Sequence, residues 1–171
     1  IAREVAPKLF RDGRFRSTLL LSPPGGGKTT LLRDLVRQIS GGEDVPAMRI
    51  TLVDERSEVA VMYRGQSQMD VGPRTDVLDG CPKALAVPMA LRAMNPQIIA
   101  VDEITVREDL QAMAQAVGCG VALLATIHAA DTAELERKPL YRELLAGRMF
   151  QQAVRIRVTP EGRTYTVEEL P

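Results

Sequence analysis

The stretch Leu19-Leu20-Leu21-Ser22-Pro23-Pro24-Gly25-Gly26-Gly27-Lys28-Thr29-Thr30 decides how the rest of the chain is read. An apolar run ends in a turn of prolines and glycines, and the turn leads directly into a lysine and two threonines. Leu31, Leu32, Leu35, Val36 and Ile39 follow on one face at helical spacing. Strand, glycine turn and helix in this order make a cradle for an anion. Gly25, Gly26 and Gly27 let backbone N–H groups converge without Cβ clashes. The helix N-terminus beneath them adds partial positive charge. On this pattern Pro24, Gly25, Gly26, Gly27, Lys28, Thr29 and Thr30 are expected to bind phosphates. Lys28 reaches the outer phosphates and the Thr29 hydroxyl ligates Mg²⁺. The pattern G-x-x-x-x-G-K-[ST] is broken only at its first position, where the chain has Ser22. The plainer alternative is a glycine-rich loop that caps an ordinary helix.

A chain of 171 residues fits one domain, here residues 1–171, with a core of its own. Hydrophobic content of 45% and charged content of 26% describe an ordinary globular protein. The formal net charge is zero, which removes any global attraction to nucleic acid or anionic membrane. No apolar run is long enough to span a bilayer, and no signal-peptide pattern opens the sequence. Cys81 and Cys119 lack C-x-x-C spacing and read as reduced thiols of a cytoplasmic protein. The first residue is Ile1 rather than Met, so the expectation is a fragment lacking an N-terminal region.

Around the loop, residues 1 to 16 read as a short helical lead-in carrying Lys8, Arg11, Arg14 and Arg16. Apolar strands are expected at Ser17 to Leu21, Met48 to Val53, Gln97 to Val101 and Val121 to Thr126. Between Ala60 and Gly80 the periodicity fades, and a long irregular segment beside the site is expected. One helix covers Pro88 to Met94 with an earlier start left open, and a second spans Val106 to Val117, ending at Gly118. Residues 132 to 147 read as helical with a break at Pro139, and the turn Thr159-Pro160-Glu161-Gly162 joins a terminal hairpin at one sheet edge. Alternating strands and helices predict an α/β fold: a mainly parallel sheet flanked by helices, with a C-terminal antiparallel hairpin.

In open α/β sheets the ligand sits beyond the carboxyl ends of the strands. Ile98-Ile99-Ala100-Val101 runs into Asp102-Glu103, the Walker B form. Asp102 is expected to hold Mg²⁺ through water, and Glu103 to activate the attacking water. His128, the single histidine, ends the strand Ala125-Thr126-Ile127 and is placed at the terminal phosphate. Asp54, Glu55 and Glu58 end another strand, with a solvated acidic turn as the plainer reading. Arg74, Arg92 and Arg56 are candidates for neutralising phosphate charge, in cis or from a neighbouring subunit.

Nearly the whole chain resembles the ATPase domain of the stage III sporulation protein AA family, related to the type II and type IV secretion ATPases. The resemblance rests on Asp12-Gly13-Arg14-Phe15, on Ser22 to Asp34, on Val53 to Glu58 and on Val71 to Asp79. It continues through Cys81-Pro82-Lys83-Ala84, Asn95-Pro96, Val101 to Ile104 and Ala125 to His128. Ser-Pro-Pro at the loop entrance is similar to what that family shows. The resemblance implies a P-loop fold of the secretion-ATPase kind and an ATP hydrolase using Mg²⁺. It further implies a homo-oligomeric ring, a hexamer, on the cytoplasmic, mother-cell face of a membrane-embedded channel. The same likeness makes Glu55 part of an acidic box and His128 part of a histidine box; Glu55 and Arg74 join Glu103 and His128 as candidate catalytic residues. Two departures stand out: Thr105-Val106-Arg107 replaces a Gly-Arg-Glu-like sequence, and Pro88 falls within an expected helix.

Three other readings stay open at this level. A nucleotide-dependent nucleic-acid-binding ATPase is disfavoured by zero net charge and by three Phe with no Trp. A small-molecule kinase would share the phosphate loop but lack the Asp-Glu pair with a following histidine. A scaffold that binds ATP without hydrolysing it would have no use for Glu103.

Overall fold

The computed structural model describes residues 1–171. Seven strands build one sheet: β1 (Thr18–Ser22), β2 (Ile50–Asp54), β3 (Thr75–Asp79), β4 (Ile98–Val101), β5 (Ala122–His128), β6 (Gln152–Thr159) and β7 (Gly162–Glu169). Five helices accompany them: α1 (Lys28–Gly41), α2 (Lys83–Ala93), α3 (Arg107–Gly118), α4 (Thr132–Arg137) and α5 (Pro139–Ala146). The sheet order is β7-β6-β1-β5-β4-β2-β3, and every pairing is parallel except β6 with β7.

Strand side chains alternate between faces, so each buried strand feeds two apolar layers. Leu20, Leu52, Ile98, Ala100 and Leu124 face α1 through Leu31, Leu32, Leu35, Val36 and Ile39. Leu19, Leu21, Val53, Ile99 and Ala125 face the other way, against Ala86, Ala90, Leu110, Met113 and Leu144. A sheet covered on both faces has its chemistry at the strand ends alone. No helix is long and apolar enough to cross a membrane.

Two expectations are corrected. The lead-in is two short 3₁₀ turns, Ala2–Glu4 and Ala6–Leu9, followed by a small ladder of Phe10–Arg11 against Arg14–Phe15. Asp12 and Gly13 turn that ladder with φ of 53° and 74°, which a helix does not contain. The segment after Ala60 is not wholly irregular: a small hairpin pairs Met62–Tyr63 with Gln66–Ser67, and Thr75–Asp79 is strand β3 at the sheet edge. Val77 and Leu78 pack against the two apolar layers, one on each face, but Thr75, Asp76 and Asp79 are polar, so the strand is hidden from a search for apolar runs. Helix α2 takes the earlier start that the sequence leaves open, at Lys83, and continues through Pro88, losing one backbone hydrogen bond without ending.

The terminal hairpin lies at one edge of the sheet, as expected. β6 pairs parallel with β1 over Gln152 to Arg155, and only β7 runs antiparallel. Beyond Arg155 the two hairpin strands overhang the end of β1 and stand over the loop that follows it.

Candidate functional site

The carboxyl ends of β1, β4 and β5 and the turn after β2 converge on a cleft of about 250 Å³. Its walls contain Lys28, Thr29 and Thr30 from the phosphate loop and helix start, Asp102 and Glu103 after β4, and Thr126 and His128 from β5. Larger hollows exist, one of about 520 Å³ at the amino ends of the strands and one of about 550 Å³ against the outer side of the loop. The smaller cleft is where the ionisable groups meet, with no apolar residue in its lining.

Local sequence shapes the loop. Gly25 and Gly27 adopt φ of 75° and 93°, conformations a side chain disfavours. Gly27 also caps α1, and its carbonyl receives the Leu31 N–H at 3.0 Å. Gly26 is required for another reason: a Cβ there would collide with Ser22 Oγ and lie 2.6 Å from Ser22 Cβ. Ser22 is wholly buried and its hydroxyl donates to the Pro23 carbonyl at 2.9 Å. The residue that breaks the sequence pattern thus fills the space that Gly26 vacates.

Inside the cleft three side chains form a chain of contacts. Lys28 Nζ donates to His128 Nδ1 at 2.7 Å, and His128 Nε2 meets Glu103 Oε1 at 2.9 Å. An ammonium can only donate, so Nδ1 is the acceptor and the ring proton lies on Nε2, facing the carboxylate. Glu103 is also approached by Arg56 at 3.5 Å. Asp102 accepts from Thr126 Oγ1 at 3.0 Å, which fixes one carboxylate oxygen and leaves the other toward the cleft. Burial lowers the pKa of Lys28, while the charges of Glu103 and Asp102 oppose that shift.

Two expected catalytic residues lie elsewhere, and Pro24 and Gly26 line the outer side of the loop. Glu55 turns away from the cleft to pair with buried Lys83 at 2.5 Å, and Lys83 also approaches Asp109 at 3.8 Å. The residues of that turn that do line the cleft are Arg56 and Glu58. Arg74 precedes β3, at the amino end of a parallel strand, whereas the cleft lies at the carboxyl ends. Its guanidinium donates to the Ser40 carbonyl at 3.0 Å and ties the end of α1, so it is no part of this chain's own cleft. Sequence reading missed Thr126, Lys83 and Arg163; Thr126 had a usable signal, since it sits two residues before His128 on the same strand face.

The strand order and the loop running into α1 define a P-loop α/β fold of the secretion-ATPase kind. Solved structures share it: the pilus retraction motor PilT with bound ADP, at TM-score 0.68 and 18% identity, is matched over 100% of this chain and 51% of its own. The Legionella pneumophila ATPase DotB gives TM-score 0.67 at 16% identity over 98% of this chain and 48% of its own. The VirB11 ATPase of the Brucella suis type IV secretion system, in complex with sulphate, gives 0.63 at 16% identity over 98% of this chain and 50% of its own. The family model described as "Sporulation stage III, protein AA" matches residues 1–167, and the chain belongs to that family. It is 39% identical over 153 residues to the stage III sporulation protein AA of Bacillus subtilis (strain 168), covering 89% of this chain and 50% of that protein. An uncharacterized protein ycf45 of Cyanidium caldarium is 27% identical over 138 residues, 77% of this chain and 39% of that one. The chain spans about half the length or less of the curated relatives it matches.

Proposed function

We propose that the cleft binds Mg²⁺-ATP and hydrolyses it. The observation that carries this reading is the convergence of Lys28, Thr29, Asp102, Glu103 and His128 on one cleft beside the glycine loop. The donor set suits a hard cation that keeps part of its water. One hydroxyl, Thr29, and one carboxylate, Asp102, are offered, and no cluster of three or more His, Cys, Asp or Glu side chains exists to hold a metal outright. The remaining ligands would be phosphate oxygens and water. Bound there, Mg²⁺ neutralises phosphate charge.

The protein's own residues do the rest. Loop amides from Gly25 to Thr29 and the α1 N-terminus hold the phosphates, with Pro24 at the loop's outer rim and Thr30 beside the metal hydroxyl. Lys28 leaves His128 for phosphate oxygen, which favours its ammonium form. His128 keeps its Nε2 proton on Glu103, orienting a carboxylate that accepts a proton from water as water attacks. Arg56, on the same carboxylate, is the cation of the β2 turn nearest the reacting phosphoryl group.

The coarser assignment supported by fold and family is a sporulation protein built like secretion and pilus ATPases. The finer one is ours: residues 1–171 are a single ATPase domain that works in a homo-oligomeric ring of six at the cytoplasmic, mother-cell side of a membrane channel. ADP in a protein of the same fold supports the nucleotide, and sulphate in another supports an anion cradle. The test is steady-state phosphate release with Glu103→Gln. Turnover should fall about a hundredfold or more while ATP affinity stays within a few-fold of wild type. Wild-type turnover in Glu103→Gln would overturn the catalytic assignment. Lys28→Ala should weaken ATP binding itself, by at least about tenfold.

A further inference from the structure

Arg163 lies 137 positions after Gly26 in sequence, yet its Nε donates to the Gly26 carbonyl at 3.0 Å. The guanidinium covers the loop's outer side so closely that a Cβ built on Gly27 would lie 3.0 Å from Nε. No other hydrogen bond or ion pair engages the Arg163 side chain. Its position is set by the hairpin: Arg163 pairs with Val158 in the ladder, and Thr159 Oγ1 closes the turn onto the Gly162 carbonyl at 3.0 Å. The overhang of β6 and β7 beyond β1 is what carries this side chain over the loop.

A trans peptide is planar, with its C=O and N–H pointing in opposite directions. The Gly26 carbonyl faces outward to Arg163, so the Gly27 N–H of the same peptide faces the cradle. A cation on the carbonyl polarises that peptide and strengthens its N–H as a donor, as one link in a hydrogen-bonded chain strengthens the next. The bond also fixes the peptide plane in a loop whose glycines would otherwise permit it to turn.

We propose that Arg163 is a positioning residue for phosphate binding, acting through the Gly26–Gly27 peptide, and that it makes the terminal hairpin an element coupled to the nucleotide cradle. The inference rests on the reading that the cradle takes nucleotide phosphates. It predicts that displacing the hairpin loosens phosphate binding without any change in the residues that line the cleft.

The test compares wild type, Arg163→Ala and Arg163→Lys in the full chain, with ADP and adenosine as ligands and amide hydrogen exchange of the peptide spanning Pro23 to Lys28. Arg163→Ala should lose about tenfold in ADP affinity, the worth of one charge-assisted bond, with adenosine affinity within about twofold. Loop exchange in nucleotide-free Arg163→Ala should quicken, and Arg163→Lys should restore part of both effects. ADP affinity within twofold of wild type would overturn the proposal, as would equal losses for ADP and adenosine. If wild type binds no ADP, the nucleotide reading fails on its own. Loop exchange then decides the inference: unchanged exchange in Arg163→Ala removes it, and faster exchange sustains the coupling of hairpin to loop.

Discussion

Two loops flank the cleft, and both gather backbone N–H groups, but only one leaves them for a ligand. After β2 the turn Glu55 to Ala60 folds onto the wholly buried carboxylate of Asp54, which accepts from Glu58, Val59 and Ala60 N–H at 2.9–3.2 Å. Arg33 holds the same turn from outside through the Glu58 and Val59 carbonyls at 2.8 and 2.6 Å. This loop carries its own anion and is complete. The loop after β1 has glycines where the other has charges, and its convergent amides have no internal carboxylate. The protein therefore separates a closed wall, which positions Arg56 and Glu58, from an open cradle, the site of the proposed phosphate binding. The lesson concerns amides more than acidic residues: convergence of N–H groups marks a ligand site only where no side chain already satisfies them.

The comparison breaks first at Asp54. Asp54→Ala removes the acceptor of three amides, two of them in the buried residues Val59 and Ala60, and should cost about 3–5 kcal/mol of stability, read as a lower urea midpoint at unchanged slope. A loss below about 1 kcal/mol would mean that water replaces the carboxylate and the wall is not self-sufficient.

The cradle is sharpened by a pair of substitutions. Gly26→Ala places a Cβ against Ser22 and should weaken ADP binding by more than about tenfold. Adding Ser22→Gly should recover part of it, whereas Ser22→Gly alone should change affinity by about threefold or less. Additive losses in the double variant would show that the two residues do not share the space.

A smaller effect concerns pH. Burial holds the Lys28 pKa below its ordinary 10.5, whereas a bound phosphate favours the ammonium. Nucleotide binding should then take up protons wherever free Lys28 has begun to lose its own. Affinity for ADP should fall as pH rises toward the ordinary lysine pKa, and the fall should vanish in Lys28→Ala. Titration calorimetry in buffers of different ionisation enthalpy measures that uptake directly. Flat affinity and no proton uptake would show that Lys28 stays fully charged in the free protein.

Much of the cleft was legible because the strands that form it end in chemistry. Lys28 and Thr29 follow β1, Asp102 and Glu103 follow β4, and His128 ends β5, so a parallel sheet must bring them to one edge. Arg74 lies away from this chain's own cleft because Thr75–Asp79 is a parallel strand, and a residue before it belongs at the far edge. Glu55 was chosen over Arg56 and Glu58 because spacing along a turn does not say which way each side chain leaves it. The Asp54 carboxylate decides that by rotating the turn around itself.

By itself the sequence determined the alternation of strand and helix, the glycine cradle and the carboxyl-edge residues, since each is fixed by local pattern and short-range sterics. Only the tertiary structure decided that Ser22 fills the space left by Gly26, that Lys83 draws Glu55 away, and that Arg163 reaches the phosphate loop from the terminal hairpin. Those contacts join residues whose proximity arises from sheet order and strand overhang. No local pattern encodes a distance between strands that meet only after the chain has folded.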